Sequence, residues 1–144
     1  MELLEDFLSS EEEAQIIEAI RRAEKKTSGE IRIHLERTSE EDVYEHALEV
    51  FHFLKMDNTK LGNGVLIYVA IAKRQFVILG DKGINDVVDS NFWNDTRDVM
   101  LSYFKKGKHA MGLIKGIEEA GKALATHFPW DYDDENELSN TISK

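Results

Sequence analysis

The stretch MDNTKLGNGVLIYVAIAKRQFVILGDKGINDVV, residues 56–88, decides the fold of this chain. Its centre, Val65 to Ala72, is an unbroken apolar run, which is typical of a β-strand buried on both faces. A polar break at residues 73–75 precedes a second apolar run, residues 76–79. Two β-rich runs joined by a short polar break predict an antiparallel hairpin.

The hairpin has a consequence for the loops at its ends. If the second strand returns beside the first, residues 80–83 lie next to the loop that feeds the first strand, residues 57–64. Both loops are rich in Gly, Asn and Asp. The sequence therefore predicts a candidate site where these loops converge at one end of the sheet.

A third strand precedes the hairpin. Residues Glu30 to Glu36 alternate strictly, with apolar Ile31, Ile33 and Leu35 on one side and polar residues on the other. The polar side favours an edge position or a thinly covered sheet face. A helical pattern at residues 43–54 follows, so strand, helix and strand predict a right-handed parallel crossover. That crossover places Glu30 at the same sheet end as the two loops.

Helical periodicity accounts for most of the remaining chain. Ser9 with Glu12, or Ser10 with Glu13, predicts a capping box at the start of a helix that should end at residues 27–29. The other predicted helices are a short one over residues 3–8, one capped by Thr38 or Ser39, one capped by Ser90 or Asn91, and a last one from Ala110 to Phe128, with Gly112, Gly116 and Gly121 as points of close packing.

Size and composition predict one domain and a tail. The 144 residues, 42% of them apolar, suffice for a core without disulfides, and the chain has no Cys. We expect a single domain over residues 1–130 and an acidic, flexible tail over residues 131–144. The tail either recruits cations weakly, inhibits a basic partner, or is simply a solvated terminus.

The net charge of −10 restricts the partners. Nucleic acids and anionic membrane surfaces are disfavoured, because both require clustered Lys and Arg. The start of the chain lacks the basic flank of a signal peptide, and its longest apolar run is too short to span a bilayer. We therefore expect a cytoplasmic location, unless a leader has been removed, and an unidentified protein partner.

The polar residues of the loops suggest a cation. Helical ligand pairs need spacings of three or four, so His46 and His52, six apart, do not form a zinc pair. Oxygen donors without Cys select Ca²⁺ or Mg²⁺. The alternative is that these residues only shape turns. The candidate ligands are Asp57, Asp81, Asp86, Asp89 and Glu30, with Asn58 and Asn63 as further oxygen donors.

One histidine on the first strand has two interpretations. His34 lies on the polar side of the strand from Glu30 to Glu36. It is either a catalytic base or, as we favour, a solvated strand histidine.

Three parts of the sequence resemble the TPM domain. They are the capped helix start LSSEEE at residues 8–13, the block GNGVLIYVAIAKRQFVILGDKGI at residues 62–84, and the helix end YFKKG at residues 103–107. The resemblance covers residues 8–128, and the central block is its specific part. The family groups a thylakoid lumen phosphatase, a photosystem II repair factor and a nematode receptor modulator.

The resemblance implies an α/β fold: a three-layer α/β/α sandwich with a small mixed sheet, a parallel crossover plus an antiparallel hairpin, and about four to five helices. It also implies a divalent-cation site at Asp57 and Asp81. Some members are acid phosphatases, and others act in assembly or repair of membrane complexes. Two departures are the missing leader or anchor and the polar strand around His34.

Two functional hypotheses follow. The first is a Ca²⁺- or Mg²⁺-binding module with a regulatory, stress-related or protein-assembly role. The alternative is a metal-assisted acid phosphatase acting on phosphate monoesters, in which a cation polarises a phosphoryl oxygen. The sequence shows no evident nucleophile for that reaction. Lys60 and Lys82 are the residues able to supply positive charge near the loops.

Overall fold

The elements of the fold follow the order that the sequence predicts. A computed structural model describes residues 7–37, 42–130 and 140–144. Within these residues the chain forms five helices and three strands: α1 (Ser10–Glu24), β1 (Glu30–Glu36), α2 (Val43–Phe53), β2 (Gly64–Ala70), β3 (Gln75–Gly80), α3 (Lys82–Asn85), α4 (Asn94–Phe104) and α5 (His109–His127).

The three strands form one mixed sheet in the order β1-β2-β3. β1 runs parallel to β2, with Glu30 opposite Gly64. β2 runs antiparallel to β3, with Val65 opposite Gly80. The predicted crossover and hairpin are both confirmed, and β1 is an edge strand, one of the two positions that its polar side favours.

The sheet separates two apolar cores. Ile31, Ile33 and Leu35 of β1 face one core together with alternate residues of β2 and with α1, α4 and α5. Leu66 and Tyr68 of β2 face the other core, which α2 covers. Every residue of β2 is buried, because helices lie on both sides of it. This arrangement is the α/β/α sandwich.

α1 begins where the sequence places it but ends earlier. The Ser9 and Glu12 side chains each accept a hydrogen bond from the other residue's backbone N–H, so the capping box is confirmed. The helix ends at Glu24, not at residues 27–29. Gly29 does not supply a left-handed turn. A Cβ there would lie 2.9 Å from Leu124 Cδ1, so its role is close packing against α5.

α4 also starts at a different residue. Its N-cap is Trp93, which makes no side-chain cap hydrogen bond, so the predicted caps Ser90 and Asn91 are wrong. Asn91 instead accepts a side-chain hydrogen bond from Asn94. The predicted close approaches of α5 are confirmed: a Cβ on Gly116 would lie 2.5 Å from Met100 Sδ.

Three predicted features concern residues outside the described ranges. Of the short helix predicted over residues 3–8, residues 3–6 lie outside the described ranges. The same holds for Thr38 and Ser39, the caps predicted for α2, and for residues 131–139, most of the predicted tail. In the structure α2 is capped by Asp42, whose Oδ1 accepts from the Glu45 N–H.

The described end of the chain, residues 140–144, lies beside β1. The Leu35 N–H donates to the Ser143 carbonyl, and the Ser143 N–H donates to the Ile33 carbonyl, both at 2.8 Å. The flexible tail over residues 131–144 stays a prediction. None of the helices in the described ranges combines the length and the hydropathy that crossing a bilayer requires.

Candidate functional site

The candidate site is the loop end of the sheet, formed by residues 57–64, residues 80–83 and the start of β1. The Asp81 N–H donates to the Gly64 carbonyl at 2.9 Å, and the Glu30 N–H donates to the Asn63 carbonyl at 3.3 Å. Backbone hydrogen bonds therefore hold both loops and Glu30 together. The convergence predicted from the hairpin and the crossover is confirmed.

Two glycines allow the loops to touch. Gly62 has φ +60°, a left-handed conformation that favours glycine. A Cβ on Gly83 would lie 2.2 Å from the Leu61 carbonyl oxygen and 2.5 Å from that of Gly62. Gly83 must therefore lack a side chain for α3 to pack on this loop.

The carboxylate of Asp81 lies over the same loop. Its Oδ2 is 3.7 Å from the position that a Cβ on Gly62 would occupy. Asp81 follows β3 directly and occupies the N-cap position of α3, yet its side chain makes no cap hydrogen bond. This half-buried carboxylate is thus directed at the loop rather than at the helix amides.

The other three predicted aspartates lie beside residues that are close to them in the sequence. The exposed Asp57 carboxylate lies 2.9 Å from Nδ1 of His52, at the end of α2. Asp86 is exposed and caps the C-terminal end of α3. Asp89 Oδ1 accepts from the Asn91 N–H, which is a turn interaction. Across residues 7–37, 42–130 and 140–144, no group of three or more His, Asp and Glu side chains is arranged to hold a metal ion.

A half-buried carboxylate that the sequence analysis did not select lies beside Glu30. Glu24 Oε2 accepts a hydrogen bond from the Ile31 N–H at 3.0 Å. Burial raises the pKa of Glu24 to about 7, the Ile31 hydrogen bond opposes this rise, and the charge of Glu30 adds to it. Glu30 itself is only 3% exposed. Helical spacing alone places Glu24 on the inward face of α1, because it continues the stripe of Ile16 and Ile20 at intervals of four.

A second polar cluster lies at the opposite end of β1, and Glu36 is its centre. Its Oε1 is 3.1 Å from His34 Nε2, and its Oε2 is 2.8 Å from His46 Nε2. The Tyr68 hydroxyl donates to the same Oε2. His34 Nδ1 also lies 2.8 Å from the Ser143 hydroxyl.

This cluster corrects the interpretation of His34. The side chain is not solvated, because the residue is only 7% exposed, stacked on Tyr68 and covered by Ser143. Burial lowers the pKa of His34, and the neighbouring Glu36 offsets part of that change. Burial alone would raise the pKa of Glu36, but hydrogen bonds to Tyr68, His34 and His46 hold it below its usual value.

Comparison with known proteins decides the family. The sequence pattern of the TPM domain matches residues 3–123. The chain belongs to the TPM domain family. No curated protein sequence matches it significantly.

Solved structures agree with this TPM assignment. The chain is similar to the BA42 protein of the psychrophilic bacterium Bizionia argentinensis, with 62% identity, 100% of this chain and 99% of that chain covered, and a TM-score of 0.94. It shares its fold with the N-terminal domain of a P. gingivalis protein (19% identity, 85% and 79% covered, TM-score 0.70) and that of the Corynebacterium glutamicum protein cg2496 (12% identity, 95% and 80% covered, TM-score 0.65).

The chemistry of the loop end in this TPM domain suits a hard cation better than a soft one. The Asp81 carboxylate supplies oxygen donors there, whereas the carbonyls of Leu61 and Gly62 pack against Gly83. Ca²⁺ accepts carboxylate, carbonyl and water oxygens in flexible geometry, and Mg²⁺ retains several waters. A cation held here would depend on Asp81 and on water.

Proposed function

We propose that this TPM domain is a divalent-cation-binding module that takes Ca²⁺ or Mg²⁺ at the loop end of the sheet. Asp81 would be the principal ligand, and Asp57, Asp86, Asp89 and Glu30 would contribute directly, through water or through their charge. The observation that carries the proposal is the Asp81 carboxylate, which lies over the Gly62 loop and does not cap α3.

Electrostatics supports the same location. Glu30 is buried and Glu24 is half-buried near the start of β1, and the negative charge of Glu30 raises the pKa of Glu24. A divalent cation nearby would relieve this repulsion and the excess negative charge of a chain with net charge −10. Binding would stabilise the loops and so alter the surface that a protein partner contacts. The role would then be regulatory, stress-related or in protein assembly.

The test is a titration of the ¹⁵N-labelled chain with CaCl₂ and, separately, MgCl₂. We expect saturable amide shifts at residues 58–64 and 80–84, together with a higher melting temperature. Asp81→Asn should abolish both effects. Asn is also a good N-cap residue, so the fold should survive this substitution. Asp98→Asn, at an exposed position of α4, is the matched control and should behave like the wild type.

A wild-type chain that shows neither saturable shifts nor a melting-temperature change with either cation would contradict the proposal. Retention of both effects in Asp81→Asn would show that the residues that bind the cation lie elsewhere than the loop end.

The alternative function is a metal-assisted acid phosphatase acting on phosphate monoesters. Lys82 directly follows Asp81 and is exposed, so it could meet the charge of a phosphoryl group near the cation. Hydrolysis of p-nitrophenyl phosphate separates the two functions. Turnover that requires the cation and is lost in Asp81→Asn would support the phosphatase, whereas cation binding without turnover would support the binding module alone.

A further inference from the structure

A cavity of about 480 Å³ lies at the end of the sheet opposite the loop end. Its walls come from the β2–β3 turn, the connection between α4 and α5, and Phe7. Because β3 runs from Gln75 at this cavity to Gly80 at the loop end, the cavity shares no residue with the proposed cation site. We call it the hairpin cavity. Its volume falls within the range of small-molecule sites.

Aromatic side chains form the apolar part of the hairpin cavity. Phe76 and Phe104 meet edge to face with ring centroids 5.3 Å apart. Phe7 stacks on His109 with centroids 4.5 Å apart and planes inclined by 28°. Val69 and Ile71 of the hairpin complete the wall. Such surfaces bind a flat or short apolar group by burying its area.

The polar part of the cavity is cationic. Arg74 and Lys105 both line it, both are exposed, and within the described residues neither forms an ion pair with a carboxylate. None of the ten described residues that line the cavity is acidic. A lining without acidic residues is unusual for a chain whose Asp and Glu outnumber its Lys and Arg by 28 to 18. Positive charge is thus concentrated at a concave site.

The turn geometry fixes the backbone of one of these cationic residues. Arg74 has φ 53°, and its N–H donates to the Ile71 carbonyl at 3.1 Å, so the turn holds the residue in place. Lys105 caps the C-terminal end of α4, directly after Phe104. Lys105 directly follows the wall residue Phe104, and Arg74 lines the same cavity two positions before Phe76, so the site combines exposed charges with apolar walls.

We propose that the hairpin cavity binds a small amphiphilic anion, which carries a phosphate or carboxylate group on an aromatic or short aliphatic body. Arg74 and Lys105 receive the anionic group, because the guanidinium and the ammonium suit both kinds of oxyanion. Phe7, Phe76 and Phe104 receive the apolar body. Charge alone or apolar area alone would be insufficient at such an open rim, so both parts of the ligand are required.

The test is an NMR titration of the ¹⁵N-labelled full chain with four probes. Phenyl phosphate and benzoate carry both parts of the ligand and distinguish the two anionic groups. Inorganic phosphate and benzyl alcohol each carry one part. We expect saturable shifts at residues 71–76 and 104–109 with phenyl phosphate, benzoate or both, and at least tenfold weaker binding of the two single-part probes.

Variants test the assignment of residues. Arg74→Asn removes the charge and keeps a residue type that tolerates positive φ. Lys105→Gln removes the second charge at an exposed position. Each should weaken binding of the better probe about tenfold. The control Lys122→Gln, on the exposed side of α5 and outside the cavity lining, should leave the affinity unchanged.

Three results would overturn the proposal: no saturable shifts at the hairpin cavity with either amphiphilic probe, equal affinity for a single-part probe, or unchanged affinity in both charge variants. Binding of only one of the two amphiphilic probes would support the proposal and identify the anionic group.

Discussion

At the scale of single residues, two half-buried carboxylates have strongly perturbed electrostatics. Glu24 and Glu36 are both partly withdrawn from water, but their surroundings act in opposite directions. Glu24 has one backbone donor and an acidic neighbour, so burial prevails and its pKa rises. Glu36 has three side-chain donors, so hydrogen bonding prevails and its pKa falls. The two residues should therefore give opposite pH dependences of stability.

The first prediction concerns Glu24. Its pKa is about 7 in the folded chain and near 4.5 when unperturbed. Between these values the unfolded chain releases a proton that the folded chain keeps, so the free energy of unfolding falls as pH rises, by up to about 3 kcal/mol. Glu24→Gln should remove this decline and raise stability at pH 8. Urea unfolding from pH 4.5 to 8 measures it.

The control for this prediction is Glu18→Gln, at an exposed position of the same helix. It should leave the pH dependence as in the wild type. An unaltered decline in Glu24→Gln would show that another group causes it.

The second prediction concerns the cluster around Glu36. Tyr68→Phe removes one of its hydrogen-bond donors, so the pKa of Glu36 should move upward, and unfolding should require about 1–2 kcal/mol less. Carboxyl ¹³C shifts followed against pH report the pKa. Tyr44→Phe, at a position 52% exposed, is the control. A Glu36 pKa unchanged by Tyr68→Phe would contradict the account of this cluster.

At the scale of elements, the sequence predicts best where a pattern is local. The apolar run of β2 and the alternation of β1 identify the strands, so strands, crossover and hairpin could be predicted. The burial of the polar residues Glu30 and His34 in β1 does not follow from that alternation. The roles of Glu24 and Gly83 cannot be predicted in this way, because they depend on neighbours across the fold. Gly83, for example, is required by carbonyls of the preceding loop, which no periodicity reveals.

A third prediction tests that contact between elements. Gly83→Ala should destabilise the fold by about 2–3 kcal/mol, because the new methyl group would overlap the carbonyls of Leu61 and Gly62. Gly107→Ala is the control. Its site has φ +74° but nothing within 4 Å, so only backbone strain of about 1 kcal/mol applies. Thermal unfolding measures both, and equal costs would argue against loop contact as the cause.

At the scale of the whole molecule, the two ends of the chain's sheet differ in charge and chemistry. The loop end carries the carboxylates proposed to bind a cation, and the hairpin cavity carries Arg74 and Lys105. The burial of His34, which the sequence alone predicts to be solvated, also belongs to this scale. Ser143, which covers it, lies 109 residues later in the chain, and nothing in the local sequence of either residue predicts that contact.

A fourth prediction concerns this C-terminal contact. Deletion of residues 140–144 removes two backbone hydrogen bonds to β1 and the apolar contact of Ile142 with the core. We expect a loss of about 1–2 kcal/mol and faster hydrogen exchange at the Leu35 amide. Ser143→Ala should keep the backbone bonds and the slow exchange. If hydrogen exchange at the Leu35 amide is unchanged by the deletion, residues 140–144 do not hold β1 in solution.

The central claim is that a divalent cation binds at the loop end through Asp81. Mn²⁺, a paramagnetic substitute for Ca²⁺ and Mg²⁺, tests it most directly, because it broadens the amide signals nearest to it. We predict broadening centred on residues 58–64 and 80–84 that excess Ca²⁺ or Mg²⁺ reverses and Asp81→Asn removes. Broadening centred on the acidic residues 131–139 instead, or no localised broadening at all, would contradict the claim.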